Sequence, residues 1–157
     1  MDAALFSKCI ERVEGDVSAA LADMNPHPYI SKGGAKTQQP FEVVVREIVT
    51  DVSIEDVVTN SYMGGRSRGG YSIEFSIALE MWAKTADLFN TTSIVQEWAA
   101  RIMSAVAADK TLGGLVDHAQ PYISTVGTAP ANNKYMAAIE GGVRVKAEID
   151  PVIESGE

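Results

Sequence analysis

Apolar residues recur along this chain at two spacings, and the predicted elements change where the spacing changes. Phe6, Ile10, Val13, Val17, Leu21 and Met24 follow at steps of three and four, which sets them on one face of a helix over residues 5–24. Cys9 falls in that stripe and reads as a small core residue, the usual behaviour of a free cysteine. Gly15 interrupts the run at a cost of about 1 kcal/mol against alanine, so the periodicity carries the assignment. Asn25-Pro26-His27-Pro28 stops the helix, since proline cannot continue it. Residues 31–40 lack an apolar period and read as a loop. Residues 41–49 are rich in β-branched side chains, with Phe41, Val43 and Val45 alternating against Glu42, Val44 and Arg46, and predict a strand buried on one face. Residues 51–60 fit either a strand or a short helical turn.

The second half repeats the order. After Met63-Gly-Gly-Arg66-Ser-Arg68-Gly-Gly, whose glycines predict a flexible connection, Tyr71, Ile73, Phe75, Ile77, Leu79 and Met81 alternate with mostly polar residues. That period of two places one face on a core. Ile94, Trp98, Ile102 and Val106 mark a helix over 92–108, with Ser93 and Gln96 at capping-box spacing and Gly113-Gly114 beyond its end. Weak alternation over 122–126, a polar loop over 127–134 and a second alternating run over 135–149 follow. Gly141-Gly142 marks a bulge or bend in that last run. Residues 151–157 predict a frayed acidic tail. The fold class expected is α+β: an antiparallel or mixed β-sheet packed against two α-helices, in a single domain over 1–157.

Composition narrows the functions. A chain of 157 residues can bury a core without disulfides or metals, and its single cysteine forms no internal disulfide. The formal charge of -8 gives a pI near 4.7, opposite to what a protein gripping nucleic acid through phosphates requires. No signal peptide and no membrane-length apolar stretch is visible, so a soluble protein made in the cytosol is expected.

Catalytic chemistry is sparse. His27 sits between prolines and His118 follows Asp117; two distant histidines and one cysteine do not form a zinc motif or a recognisable triad. The glycine-rich stretch over 64–70 lacks the lysine of a phosphate-binding loop and precedes a strand instead of a helix. It does place Met63, Arg66 and Arg68 on a candidate assembly or lumen loop, where the arginines suit DNA phosphates or an acidic neighbouring subunit; a plain solvated hairpin loop is the other reading. Glu42, Glu47, Glu74, Glu80, Glu97, Glu140 and Glu148 read as solvated carboxylates. Trp82 and Trp98 read as core or interface anchors, Trp82 being the candidate interface anchor.

Residues 70–150 resemble the tail terminator, or tail completion, proteins of long-tailed phages. The resemblance rests on Leu79-Glu80-Met81-Trp82 at the end of an alternating strand, a polar link containing Asp87, the helix carrying Ile94 to Val106, and the late β segment over 138–149. Its most specific part is Ala107-Ala108-Asp109-Lys110-Thr111-Leu112-Gly113-Gly114-Leu115-Val116-Asp117. Residues 31–60 match nothing in the family pattern, and Asn90-Thr91-Thr92 lengthens the polar link. The resemblance implies a non-enzymatic structural protein of the virion that uses no cofactor and binds no metal. Such proteins form a hexameric ring on the last ring of tail tube protein, stop tube polymerisation and present a surface to the head connector or stopper protein. DNA passes through the hole without specific binding, and no membrane is involved. An acidic lumen is the expectation drawn from the net charge. A head-completion or stopper protein of the neck, a tail tube subunit, and a small enzyme or regulator remain the alternatives.

Overall fold

In a computed structural model, residues 4–33, 39–57 and 70–149 are described. The elements are α1 (Leu5–Ala20), β1 (Tyr29–Lys32), β2 (Phe41–Val45), β3 (Thr50–Val57), β4 (Gly70–Thr85), α2 (Leu88–Ala108), β5 (His118–Ala131) and β6 (Lys134–Ile149). The fold is α+β, and the six-stranded sheet is mixed. Its order is β1-β2-β4-β6-β5, with β3 paired to β4 beside β2. Only β1 and β2 run parallel; the remaining pairs are antiparallel.

Strand β4 is the spine. Along one side it pairs with β6 over its whole length, from Tyr71 opposite Ile149 to Thr85 opposite Tyr135. The other side is shared: Leu79 to Ala83 pair with β2, and Gly70 to Ser76 pair with β3. The alternation read from the sequence explains why. Ile73, Phe75, Ile77, Leu79, Met81 and Ala83 are all buried on one face, directly opposite Ala147, Val145, Val143, Ile139 and Ala137 of β6, and opposite residues share a face.

Both helices cover that face. The α1 stripe buries Cys9, Ile10, Val13, Val17 and Leu21, and Phe6 meets Phe75 edge to face with centroids 4.8 Å apart. α2 contributes Val95, Trp98, Ala99, Ile102 and Val106. α1 lies over β1 and β2, and α2 over β4, β6 and β5. Burial raises the Cys9 thiol to about 11, as befits an inert core residue.

Several expectations are corrected. α1 ends at Ala20, four residues before Met24, and the chain continues in turns. Ser31 and Lys32, expected in a loop, belong to β1, a four-residue strand held by its pairing with β2 and not by its own pattern. β2 stops at Val45 and is buried on both faces from Glu42 onward. The ambiguous segment over 51–57 is strand. α2 starts at Leu88 with Asp87 as its cap, whose Oδ1 accepts from the Phe89 amide at 3.3 Å; Ser93 lies inside the helix, so the capping box does not form. The threonines of the polar link are absorbed by the first turn: Thr91 Oγ1 donates to the Asp87 carbonyl at 2.8 Å and Thr92 to the Leu88 carbonyl at 3.1 Å. Gly113 and Gly114 stand five and six residues past the helix end. The polar stretch over 127–131 is strand, and only Asn132 and Asn133 turn the β5–β6 hairpin, with Asn132 at φ +50°.

The bulge signalled by Gly141-Gly142 falls on the facing strand. The register slips between Ile123 and Thr125 of β5, while β6 runs unbroken. The glycines are needed because the partners crowd them: a Cβ on Gly141 would collide with the Tyr122 carbonyl, and one on Gly142 would stand 2.8 Å from the Tyr122 hydroxyl.

Candidate assembly surface

Side chains on the face of β4 and β6 away from the helices are mostly polar, and several are paired. Arg46 Nε donates to Glu80 Oε2 at 2.6 Å. Arg144 of β6 reaches across β4, donating through Nη1 to Ser76 Oγ at 3.1 Å and to the Asp51 carbonyl of β3 at 3.0 Å, with Glu74 3.9 Å from Nη2. Lys146 stands opposite Glu74 in the register. This open face therefore carries both signs interleaved. The strongly acidic strand is β3, with Asp51, Glu55 and Asp56 and no basic residue. That distribution does not match the acidic lumen expected from net charge alone, if this face lined a hole.

Trp82 lies on the open face, half-buried, with its Nε1 donating to the Gln39 carbonyl at 2.9 Å. Its neighbours in the sheet are Glu42 and Ala138. An indole tied to its own backbone this way fixes the segment before β2. Trp98 is fully buried, 6.3 Å from Phe41 in an edge-to-face pair, and serves the core. Met63, Arg66 and Arg68 lie outside the described residues. His27 and His118 are both exposed. Among the described residues no group of three or more histidine, cysteine and acidic side chains is placed to hold a metal, and no helix is long and apolar enough to cross a membrane.

The segment after α2 is a clasp. Asp109 ends the helix and accepts from Arg12 of α1 at 2.7 Å and 3.1 Å, and from the Gly113 amide at 3.0 Å. Leu112 (φ +49°), Gly113 (φ +69°) and Gly114 (φ +92°) then turn the chain so that the Leu112 side chain is buried. Gly113 is favoured here by its positive φ, which L side chains rarely adopt, and a Cβ would also sit 3.0 Å from the movable Arg12 guanidinium. Asp16 completes the group. Burial above all, then its hydrogen bond to Asp109 and the charge there, push the Asp16 carboxyl up to about 7. Asp109, bonded to Arg12 and to Asp16, is held down to about 2. One Asp16 oxygen, Oδ2, is buried with no hydrogen-bond partner among the described residues. The motif that carries the family resemblance is thus structural: it ties α1, α2 and the start of β5 together.

Sequence patterning alone missed the sheet edges. β3 and β5 lie at opposite sides of the sheet. Residues 51–56 of β3 and 123–130 of β5 are exposed at every position. Ile54 is 59% exposed, and Val126 is 62% exposed. From Ala119 to Asn133 no residue is charged. Ile123, Val126 and Tyr135 pair with or belong to the odd-numbered β6 positions, so they face the helix side of the sheet, where α2 does not cover them. Phe89, 78% exposed, adds to this strip. Arg101 marks the α2 flank toward α1 through its 2.9 Å bond to Asp23, and helical spacing puts Phe89 on the opposite flank, on the β5 side. The signal available in the sequence was the long uncharged run, which reads locally as a loop.

Among the described residues these features define an α+β module with two largely exposed strands, β3 and β5. No family model matches the sequence, and no curated protein matches it. One solved structure with a similar chain is the virion of a native gene transfer agent particle, at 9% identity over 84% of this chain and 84% of that chain, with a TM-score of 0.34. Likeness of that degree carries no weight for what this chain does.

Proposed function

We propose that this chain is a structural subunit of a phage-type virion that closes into a ring, caps the tail tube at its head-proximal end and joins it to the head connector. The observation that carries this reading is the pair of unlike exposed strands on opposite edges of one sheet. A closed ring needs two different complementary patches on each subunit, because its contacts are heterologous. The resemblance of residues 70–150 to tail terminators points the same way. The described residues offer charge pairs locked into the sheet and a structural carboxylate clasp, which suits a role without catalysis or cofactor. The interleaved charges of the open face also suit a wall past which DNA slides without being held.

The test is direct. Purified protein is added to polymerising tail tube protein and the tubes are measured by electron microscopy. Tubes of arrested length, each bearing a ring at one end, are expected. Tubes that lengthen unchecked overturn the terminator role, and incorporation of the chain along their length assigns it to the tube instead.

A further inference from the structure

Resting on the ring reading, we infer that the ring closes by strand addition: β3 of one copy pairs antiparallel with the free edge of β5 in the next, joining the sheets into one continuous wall. Backbone direction comes first. β3 runs antiparallel to β4, and β5, two antiparallel steps away through β6, runs parallel to it. Rotation about an axis along the strands preserves direction, so the incoming β3 lies antiparallel to β5.

The amides of β5 are set for this. The Ala119 N–H points away from β6 and donates to the Lys110 carbonyl at 2.7 Å. In an antiparallel ladder, outward amides recur every second residue. Carried through the register slip, the outward positions are 121, 123, 126, 128 and 130, all opposite odd-numbered β6 residues. Pro121 and Pro130 have no N–H to offer, so the outward donors are those of Ile123, Val126 and Thr128, bracketed by prolines. The edge is therefore open over a short central stretch, a length β3 can fill with its eight residues.

Side chains and charge select the partner. Ile54 stands opposite Ile73 in the register and so faces the helix side of the sheet. In a continuous wall it meets the exposed strip of Val126 and Phe89 on that same side. An edge carrying Asp51, Glu55 and Asp56 would repel a second β3, whereas residues 119–133 of the β5 edge are uncharged, with Lys134 after the run and Asp117 before it. Natural edge strands are commonly guarded by charge; here one edge has only carboxylates and the other has none. A second copy of this chain supplies the missing half of both.

Native mass spectrometry of the full chain at its highest soluble concentration tests the pairing with Val126→Lys and Ile54→Lys, both at exposed positions and checked for folding by circular dichroism. Wild type should form rings, and each variant alone should be monomeric. An equimolar mixture of the two should give heterodimers only, since each retains one intact edge. Rings formed by Val126→Lys, or homodimers formed by Ile54→Lys through two β5 edges, overturn the strand pairing while leaving the ring reading intact. Wild type that stays monomeric alone and also forms no ring on tail tube ends overturns the ring reading itself. Hydrogen exchange on wild type needs no variant: the amides of Ile123, Val126 and Thr128 should slow on ring formation, and unchanged exchange there in an assembled ring refutes the inference.

Discussion

Strands β4 and β5 flank β6 and run in the same direction, yet the first is buried along most of its length and the second is largely exposed. Both carry aliphatic side chains on the helix side of the sheet. On β4 every such residue from Ile73 to Ala83 is sealed under the helices; on β5 only Ala119 is. The difference lies chiefly in cover: α2 contacts β5, but of that strand's helix-side residues only Ala119 is buried, and Ile123 and Val126 stay exposed. An apolar strand that a folded chain leaves uncovered is unfinished business for a partner. The same holds for β3, which shares β4's other edge with β2: Val43, Val44 and Val45 are buried, while Val52 and Ile54 are not.

Substitutions should separate the two kinds of strand. Phe75→Ala, which empties a fully buried site beside Phe6, should cost about 3–5 kcal/mol in denaturant unfolding. Gly141→Ala should cost about 3 kcal/mol, because the added methyl meets the Tyr122 backbone and not a movable side chain. The clasp gives a pH signature. Asp16 has its carboxyl raised from 3.8 to about 7, so the folded protein holds a proton that the unfolded chain releases. Its contribution is complete below pH 3.8 and disappears as pH rises through 7. The melting temperature should therefore fall across that window, and Asp16→Asn should flatten the fall. Asp109, lowered to about 2, works in the opposite sense and only in acid, losing its contribution as pH drops from 3.8 through 2. At the small end, Val126→Thr should shift stability by less than about 0.5 kcal/mol, since the side chain is mostly in water. If Val126→Thr proved as damaging as Phe75→Ala, the contrast between covered and uncovered strands would be lost.

Where burial enforces the pattern, the sequence reveals the fold. Alternation from Tyr71 to Met81 and the helical stripes of Phe6 to Leu21 and Ile94 to Val106 place the core, since each period has to match one buried face. What escapes detection depends on partners distant in sequence. β1 exists because β2 lies beside it, and Gly127 to Ala131 extend because β6 holds them in register; neither has a hydrophobic period of its own. The capping error has a similar cause. Ser93 and Gln96 have the right spacing, but Asp87, together with the Thr85–Thr91 hydroxyl contact, starts the helix earlier. Of the candidate site, Trp82 was visible as a residue but not as a ligand of the Gln39 carbonyl, and Phe89 was hidden in a polar link. Arg12 and Asp16 stand one helical turn apart in α1, but Asp109 lies too far along the chain for any local motif to join it to them.

The position of β4 has a consequence for how the protein is made. Its partners on one side precede it in the chain, while its whole other side waits for β6, the last described strand. A ribosome delivering this polypeptide holds the central strand half-paired until residues 134–149 emerge, and leaves the Arg12 anchor unengaged until Asp109 does. Chains that stop before β6 therefore lack a closed core and are exposed to proteolysis.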